Sequence, residues 1–291
     1  MTCAIRIHPC TFLNAFPGRK SGLSTGKERE RLPAYIEPAP ASRRTFLSST
    51  DLPMRWSILC DFDGTISLED VIDSLLEKYG QPGWQELEDQ WKAGKIGSRE
   101  CMQGQVRLLN LDPATLDAHL DQVQIDPGFA AFVSRAEQLG VPLRIVSDGL
   151  DYAIHRILAN HGLSRLPVVA NHLRWCDDHW ELESPYQAEG CRSGTCKCTC
   201  AAQARANEAP RVLMIGDGSS DFCVSEDADF VFAKRRLITH CTHAGIEHAA
   251  IDTFHDAIAL LPRLLDGSLV QPRRIDASPQ PAVLPLLLAT A

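Results

Sequence analysis

Ser57-Ile58-Leu59-Cys60-Asp61-Phe62-Asp63-Gly64-Thr65 is the stretch that decides the fold. A short apolar run reads as a buried strand, and it stops abruptly at two acids one residue apart, followed by Gly and Thr. In open parallel sheets ligands bind beyond the carboxyl ends of the strands, so acids at this place are positioned for chemistry. Strand alternation points Asp61 and Asp63 the same way, toward one small ligand. Two such carboxylates divide labour when their surroundings separate their pKa values. A lone D-x-D pair is better read as a solvated strand end, so the rest of the chain has to decide.

Moving outward, Val71, Ile72, Leu75 and Leu76 recur at helical spacing, which predicts a helix within Ile66–Tyr79. Residues 82–130 show helical patches broken by Gly and Pro and no strand pattern; Trp84 and Trp91, seven apart, read as one packing face. Alternation resumes with a helix over Phe129–Leu139, a strand over Val141–Val146 ending at Ser147-Asp148-Gly149, and a helix over Asp151–Asn160. Val168–Trp175 and Trp180–Ser184 flank Asp177-Asp178-His179 as a β-hairpin. A helix through Ala201–Ala206 leads to the strand Val212–Ile215, which ends at Gly216-Asp217-Gly218. Phe230–Ala233 is the last clear strand, with a helix near Phe254–Leu265.

Strands alternating with helices predict an α/β fold, a Rossmann-like parallel sheet with helices on both faces, plus an inserted α-helical cap and a small β-hairpin. The expected division is a core of 54–67 and 131–265 and a helical cap of 68–130 above the sheet's carboxyl edge. Residues 1–53, rich in Pro, Ser and Arg, read as a disordered extension or an over-long start, with Met54 three residues before the first strand. Arg and Ser there also suit a targeting peptide, a reading that Lys27-Glu28-Arg29-Glu30 weakens. Residues 266–291, Pro-rich and without a period, read as a tail.

The net charge of −8 is unevenly spread: residues 1–53 hold eight Lys/Arg against four Asp/Glu, which leaves −12 for the remainder. An acidic body argues against nucleic acid as a partner and suits a protein that neutralises phosphate with a bound cation. No apolar run is long enough for a membrane-spanning helix. The 11 cysteines, an odd number with Cys60 and Cys223 inside apparent core elements, indicate free thiols in a reducing compartment, so a cytoplasmic location is expected. Oligomeric state is not legible.

Three apolar strands thus end in reactive groups: Asp61 and Asp63, then Ser147, then Asp217 with Asp221 four residues on. In a parallel sheet these ends share one edge. Asp61 and Asp217 supply hard oxygen ligands suited to Mg²⁺ with a phosphate as co-ligand. The glycines beside them let backbone approach an anion.

At these residues the chain resembles the haloacid dehalogenase superfamily of phosphohydrolases. Asp61-Phe62-Asp63-Gly64-Thr65 matches its first motif, Ser147 its second, Lys197 its third and Gly216-Asp217-Gly218-Ser219-Ser220-Asp221 its fourth. The helical cap resembles the phosphoserine-phosphatase-like branch. Ile96–Cys101, Val146–Tyr152 and the Cys-rich approach to Lys197 look more like the methionine-salvage group, which acts on 2-hydroxy-3-keto-5-methylthiopentenyl-1-phosphate. The phosphoserine branch carries a Glu where this chain has Asp70, a departure that bears on substrate.

The resemblance implies a Mg²⁺-dependent phosphomonoesterase of a small phosphorylated metabolite. Asp61 is the implied nucleophile and forms an aspartyl-phosphate, while Asp63 protonates the leaving oxygen and later deprotonates water. Thr65, Ser147 and Lys197 are implied phosphate ligands, and Asp61, Asp63, Asp217 and Asp221 the metal site. Asp70 and Arg99 are candidate substrate contacts. A serine phosphate hydrolase is the alternative substrate reading, and a non-catalytic binding protein on the same fold the alternative function. Dehalogenation is disfavoured because it has no leaving group for Asp63 to protonate. Cys191, Cys196, Cys198 and Cys200, with His172, Cys176 and His179 in the hairpin, raise a structural Zn²⁺ site. Their spacing lacks the paired C-x2-C of zinc ribbons, so free or redox-active thiols are preferred.

Overall fold

The computed structural model describes residues 55–269; the expected extension 1–53 and all of the expected tail beyond 269 lie outside them. Seven strands form one sheet: β1 (Trp56–Cys60), β2 (Leu143–Leu150), β3 (Val168–Cys176), β4 (His179–Glu183), β5 (Arg211–Gly216), β6 (Phe230–Ala233) and β7 (His248–Ala250). Their order is β4-β3-β2-β1-β5-β6-β7, parallel throughout except for the antiparallel β3–β4 pair. Each central strand is buried on both faces, which is why it reads as an unbroken apolar run.

Alternate residues of these strands feed two separate cores. Ile58, Cys60, Leu213, Ile215, Phe230 and Phe232 face one way. They pack against α5 (Phe129–Gln138), α6 (Asp151–Asn160) and α10 (Phe254–Leu265). Leu59, Val212, Met214 and Val231 face the other way, against α7 (Lys197–Asn207), α8 (Phe222–Asp227) and α9 (Arg235–Ala244). Helices therefore cover both faces, as the alternation of elements predicts.

Four further helices stand between β1 and β2: α1 (Val71–Tyr79), α2 (Trp84–Lys92), α3 (Ser98–Arg107) and α4 (Pro113–Leu120). The chain leaves and re-enters this block side by side. Leu68 N donates to Gln124 O at 3.0 Å, and Asp126 N donates to Ile66 O at 2.8 Å. α1 starts at Val71 rather than Ile66 because the amides of Thr65, Ile66 and Ser67 all turn back onto Phe62 O. Asp70 then caps the helix, accepting from Asp73 N at 3.1 Å.

Three details go beyond the expectations. The β3–β4 hairpin forms as expected, and β3 also pairs in parallel with β2, so the hairpin extends the main sheet. β2 runs on to Leu150, with a register shift against β3 between Val146 and Leu150. That bulge lifts Ser147–Gly149 out of the ladder at the sheet's carboxyl edge. Finally, β7 and α9 follow the last strand legible in sequence; β7 has three residues, too few for a period. Among the described residues no helix is long and apolar enough to cross a membrane.

Candidate active site

Register brings the reactive residues together. Cys60 of β1 lies beside Ile215 of β5 and Ile145 of β2, so the residues that follow these three meet at one edge. Asp61 N donates to Ile215 O at 2.9 Å, which fixes Asp61 against the start of the Gly216–Asp221 loop. Above this edge a cavity of about 390 Å³ is lined by Asp61, Asp63, Ser147, Asp217 and Ser220 from the core. Asp70, Trp91, Ser98 and Met102 line it from the inserted helices.

Lys197, Asp221 and Thr65 are buried around its floor. Lys197 Nζ sits 2.7 Å from Asp61 Oδ1 and 2.6 Å from Asp221 Oδ1, and donates to Ser220 Oγ at 3.2 Å. Asp221 Oδ2 accepts from the amides of Asp217 (3.0 Å) and Gly218 (3.3 Å), which shapes the loop. Thr65 Oγ1 donates to Asp217 Oδ1 at 3.3 Å. On the other side of the cavity Asp63 accepts from Val71 N at 3.1 Å and from Ser147 Oγ at 3.3 Å. Gly149 N in turn donates to Ser147 Oγ at 2.9 Å.

Two of the acids stand against bare backbone. A methyl group on Gly149 would come within 2.3 Å of Asp63 Oδ2. One on Gly64 would come within 2.5 Å of Asp217 Oδ2, and Gly64 also has φ +69°, open to glycine at little cost.

Electrostatics separate the acids. Burial, then Asp221, pushes the Asp61 carboxyl well above the ordinary range, against the pull of Lys197. Burial raises Asp63 to about 6, partly offset by its bonds from Val71 and Ser147. Asp217 is also raised, by burial and then by Asp221. For Lys197 burial favours the neutral amine, but Asp221 and Asp61 outweigh it and hold the ammonium form. Oxygens of Asp61, Asp217 and Asp221 all lie within 4.8 Å of one another. Among the described residues this is the one place where three or more metal-ligating groups converge so closely.

Of the sequence-predicted site residues, Asp61, Asp63, Thr65, Ser147, Lys197, Asp217 and Asp221 come together here, and Asp70 reaches the cavity wall. Arg99 does not: its guanidinium bonds the Gln187 side chain, away from the cavity lining. The four cysteines do not form one cluster either, although Cys191 and Cys196 touch. Cys196, Cys198 and Cys200 fall at the start of α7, where residues two apart face different sides, and Cys200 packs into the core. Trp84 packs on the core as expected, whereas Trp91 forms cavity wall. Five lining residues among those missed by the sequence reading matter most: Asp148 follows Ser147, Ser98 and Met102 lie on α3, and Arg235 and Arg236 lie just beyond β6. The strand-end rule that found Asp61 and Asp217 also flags the two arginines. Arg235 has φ +45° and reaches Asp217 Oδ2 at 3.4 Å.

A family model for haloacid dehalogenase-like hydrolases matches residues 58–226, which include Asp61, Asp63, Ser147, Lys197, Asp217 and Asp221. The chain belongs to that family. It is 30% identical over 206 residues, 68% of this chain and 86% of the relative, to the 2-hydroxy-3-keto-5-methylthiopentenyl-1-phosphate phosphatase of Bacillus velezensis. It is 31% identical to the enzyme of the same name from Brevibacillus brevis, covering 71% of this chain and 95% of that one. Among solved structures, a phosphoserine phosphatase captured as an analogue of its phospho-aspartyl intermediate shares the fold. The TM-score is 0.56 at 18% identity, over 72% of this chain and 99% of that one. A family hydrolase from Salmonella enterica serovar Typhi also superposes with TM-score 0.56, at 22% identity over 71% and 70% of the two chains. This haloacid dehalogenase-like hydrolase is a phosphatase, and phosphatases of the family generally use Mg²⁺ and an aspartyl-phosphate intermediate.

Proposed function

We propose that this hydrolase removes phosphate from a small thioether-bearing enol phosphate, with Asp61 as nucleophile and Asp63 as acid and base. The supporting observation is the division of charge across one cavity: Lys197 against Asp61 and Asp221 on one side, Asp63 held by Ser147 on the other. Asp61 attacks the phosphorus in line, and Asp63, whose raised pKa lets it carry a proton, donates that proton to the leaving oxygen. Asp63 then takes a proton from the water that attacks the aspartyl-phosphate. Ser147, Lys197 and Thr65 bind the phosphoryl oxygens where charge accumulates.

The acid cluster fits a divalent cation. Asp61, Asp63, Asp217 and Asp221 face two cations, Lys197 and Arg235, and three of the acids have converging oxygens. Asp61, Asp217 and Asp221 would hold Mg²⁺, with Asp63 beside them; it would supply Lewis-acid stabilisation of the phosphoryl charge. Lys197 would hold Asp221 and the Gly216–Asp221 loop in place around it.

Residues 68–130 act as the cap and supply the specificity wall. A side pocket of about 80 Å³ opens off the cavity between α1, α2 and α3, where Ile72, Trp91, Cys101 and Met102 stand beside Asp70, Asp73 and Glu88. Sulfur and aromatic groups suit a methylthio end, which favours the methionine-salvage reading suggested by the relatives' names over phosphoserine. Asp70 caps α1 at the same wall, where it is the candidate substrate contact. The nine described cysteines are all free, in keeping with a cytoplasmic enzyme.

The test is hydrolysis of p-nitrophenyl phosphate and of the two candidate metabolites with added Mg²⁺. Asp61→Asn should abolish turnover with the fold intact. An active Asp61→Asn protein would sink the proposal, and faster turnover of phosphoserine than of the thioether substrate would reverse the substrate assignment.

A further inference from the structure

Asp148 lies in the cavity wall, yet the mechanism above makes no use of it. Its carboxylate is buried and reaches in two directions. Oδ1 accepts from the amides of Gly194 at 2.8 Å and Thr195 at 2.9 Å, and from Asn171 Nδ2 at 3.2 Å. Oδ2 accepts from the hydroxyl of Ser98, the first residue of α3, at 2.5 Å. The first direction ends two residues before Lys197; the second ends on the helical block that walls the cavity.

The segment that Asp148 holds is gripped from the far side as well. Arg192 donates to Gly94 O at 3.0 Å and to Lys95 O at 2.9 Å, while its own carbonyl accepts from Arg99 N at 3.2 Å. Residues 192–197 therefore touch the α2–α3 corner directly and again through Asp148. Lys197 follows at once, at the first position of α7. A shift of that segment moves the one ammonium that lies between Asp61 and Asp221.

We propose that Asp148 is a positioning residue that ties the seating of α3, through Ser98, to the placement of Lys197, so that closing the wall and setting the charge cluster are one event. The catalytic half of this inference rests on the role given to Lys197 above; the coupling half does not. A carboxylate that merely satisfied two loop amides would leave the Ser98 side without consequence for residues 192–197.

Three full-length variants separate these readings: Ser98→Ala, Asp148→Ala and Asp148→Asn. In amide hydrogen exchange monitored by mass spectrometry, Ser98→Ala should deprotect peptides from residues 94–101 and from residues 192–200 together. Deprotection confined to 94–101 would overturn the coupling, and this readout needs no activity. In p-nitrophenyl phosphate assays Ser98→Ala should raise KM about two- to tenfold, the worth of one hydrogen bond, and lower kcat in the same direction as Asp148→Ala but by less. Asp148→Ala should lower kcat about 10- to 100-fold, as lost outer-shell partners commonly do. Asp148→Asn, whose amide oxygen still accepts from Gly194 and Thr195, should recover most of that loss. A fully active Asp148→Ala enzyme, or an Asp148→Asn enzyme as slow as a folded Asp148→Ala, would overturn the positioning role. If Asp148→Ala does not fold, the Ser98→Ala exchange pattern and the Asp148→Asn rate still decide. Wild-type protein with no phosphatase activity but with coupled exchange would fail the function and leave the coupling standing.

Discussion

Lys197 Nζ lies 2.7 Å from Asp61 Oδ1, with both side chains almost sealed from solvent. Removing the amine by Lys197→Ala leaves Asp61 and Asp221 as uncompensated buried carboxylates, a change that costs about 3–5 kcal/mol in other buried pairs. Lys197 pulls the Asp61 carboxyl down against burial and Asp221, so removing the amine raises that carboxyl further. A group whose folded pKa is raised contributes stability at low pH and loses it as pH rises through the folded value. The deficit of the variant against wild type should thus be largest at neutral pH and shrink toward pH 4. Urea unfolding at several pH values checks this, and a deficit that grows in acid contradicts it.

Asp63→Asn should separate stability from catalysis. Its loss removes the proton donor and acceptor, which costs about 10²–10⁴ in kcat. Burial raises the Asp63 pKa from 3.8 to about 6, so its stabilising share is present below 3.8 and lost as pH passes 6. At pH 8 the ionised side chain is a burden that asparagine does not carry. The variant should therefore be more stable than wild type at pH 8, by up to about 3 kcal/mol, with the gap closing toward pH 4. Melting temperatures in parallel buffers measure the difference.

Chelation should silence the enzyme and Mg²⁺ should restore it. Asp217 offers one of the three converging oxygen groups. Asp217→Ala should raise the Mg²⁺ concentration needed for half-activity at least about tenfold. It should also lose the upward melting shift that Mg²⁺ gives the wild type, a readout independent of turnover. Equal shifts in both proteins would remove Asp217 from the metal site.

The side pocket makes a different claim. Trp91→Ala should lower kcat/KM for the thioether enol phosphate relative to p-nitrophenyl phosphate about tenfold, the usual worth of one small apolar group in a pocket. Met102→Ala should act in the same direction. Parallel kinetics on the two substrates test this, and a uniform loss on both would assign Trp91 to folding of the wall instead.

Much of the fold was legible because the central strands are buried on both faces and end in acids. Ile58–Cys60 and Val212–Ile215 announce themselves as unbroken apolar runs. β7 was not legible, because three residues carry no period, and neither was the place of β3 in the main sheet, because pairing partners leave no local mark. For the site, the acids at strand ends could be found by one rule. The wall could not: Ser98, Trp91 and Met102 reach the cavity through the packing of α2 and α3, which spacing does not encode. Arg99 shows the reverse error, since a guanidinium one residue from Ser98 turns to Gln187. The cysteines, read as free thiols in preference to a zinc site, are free, and Cys196, Cys198 and Cys200 spread around the start of α7.

The backing of Asp63 by Gly149 and of Asp217 by Gly64 bears on how such an enzyme diversifies. No side chain larger than hydrogen fits behind either acid without moving it. Selection from a saturation library for phosphatase activity should return glycine at both positions while accepting many residues at 91 and 102. Mutational tolerance is then split by layer: the reaction is inherited unchanged through backbone that admits no variation, and new substrates are reached by drift in the helices above it.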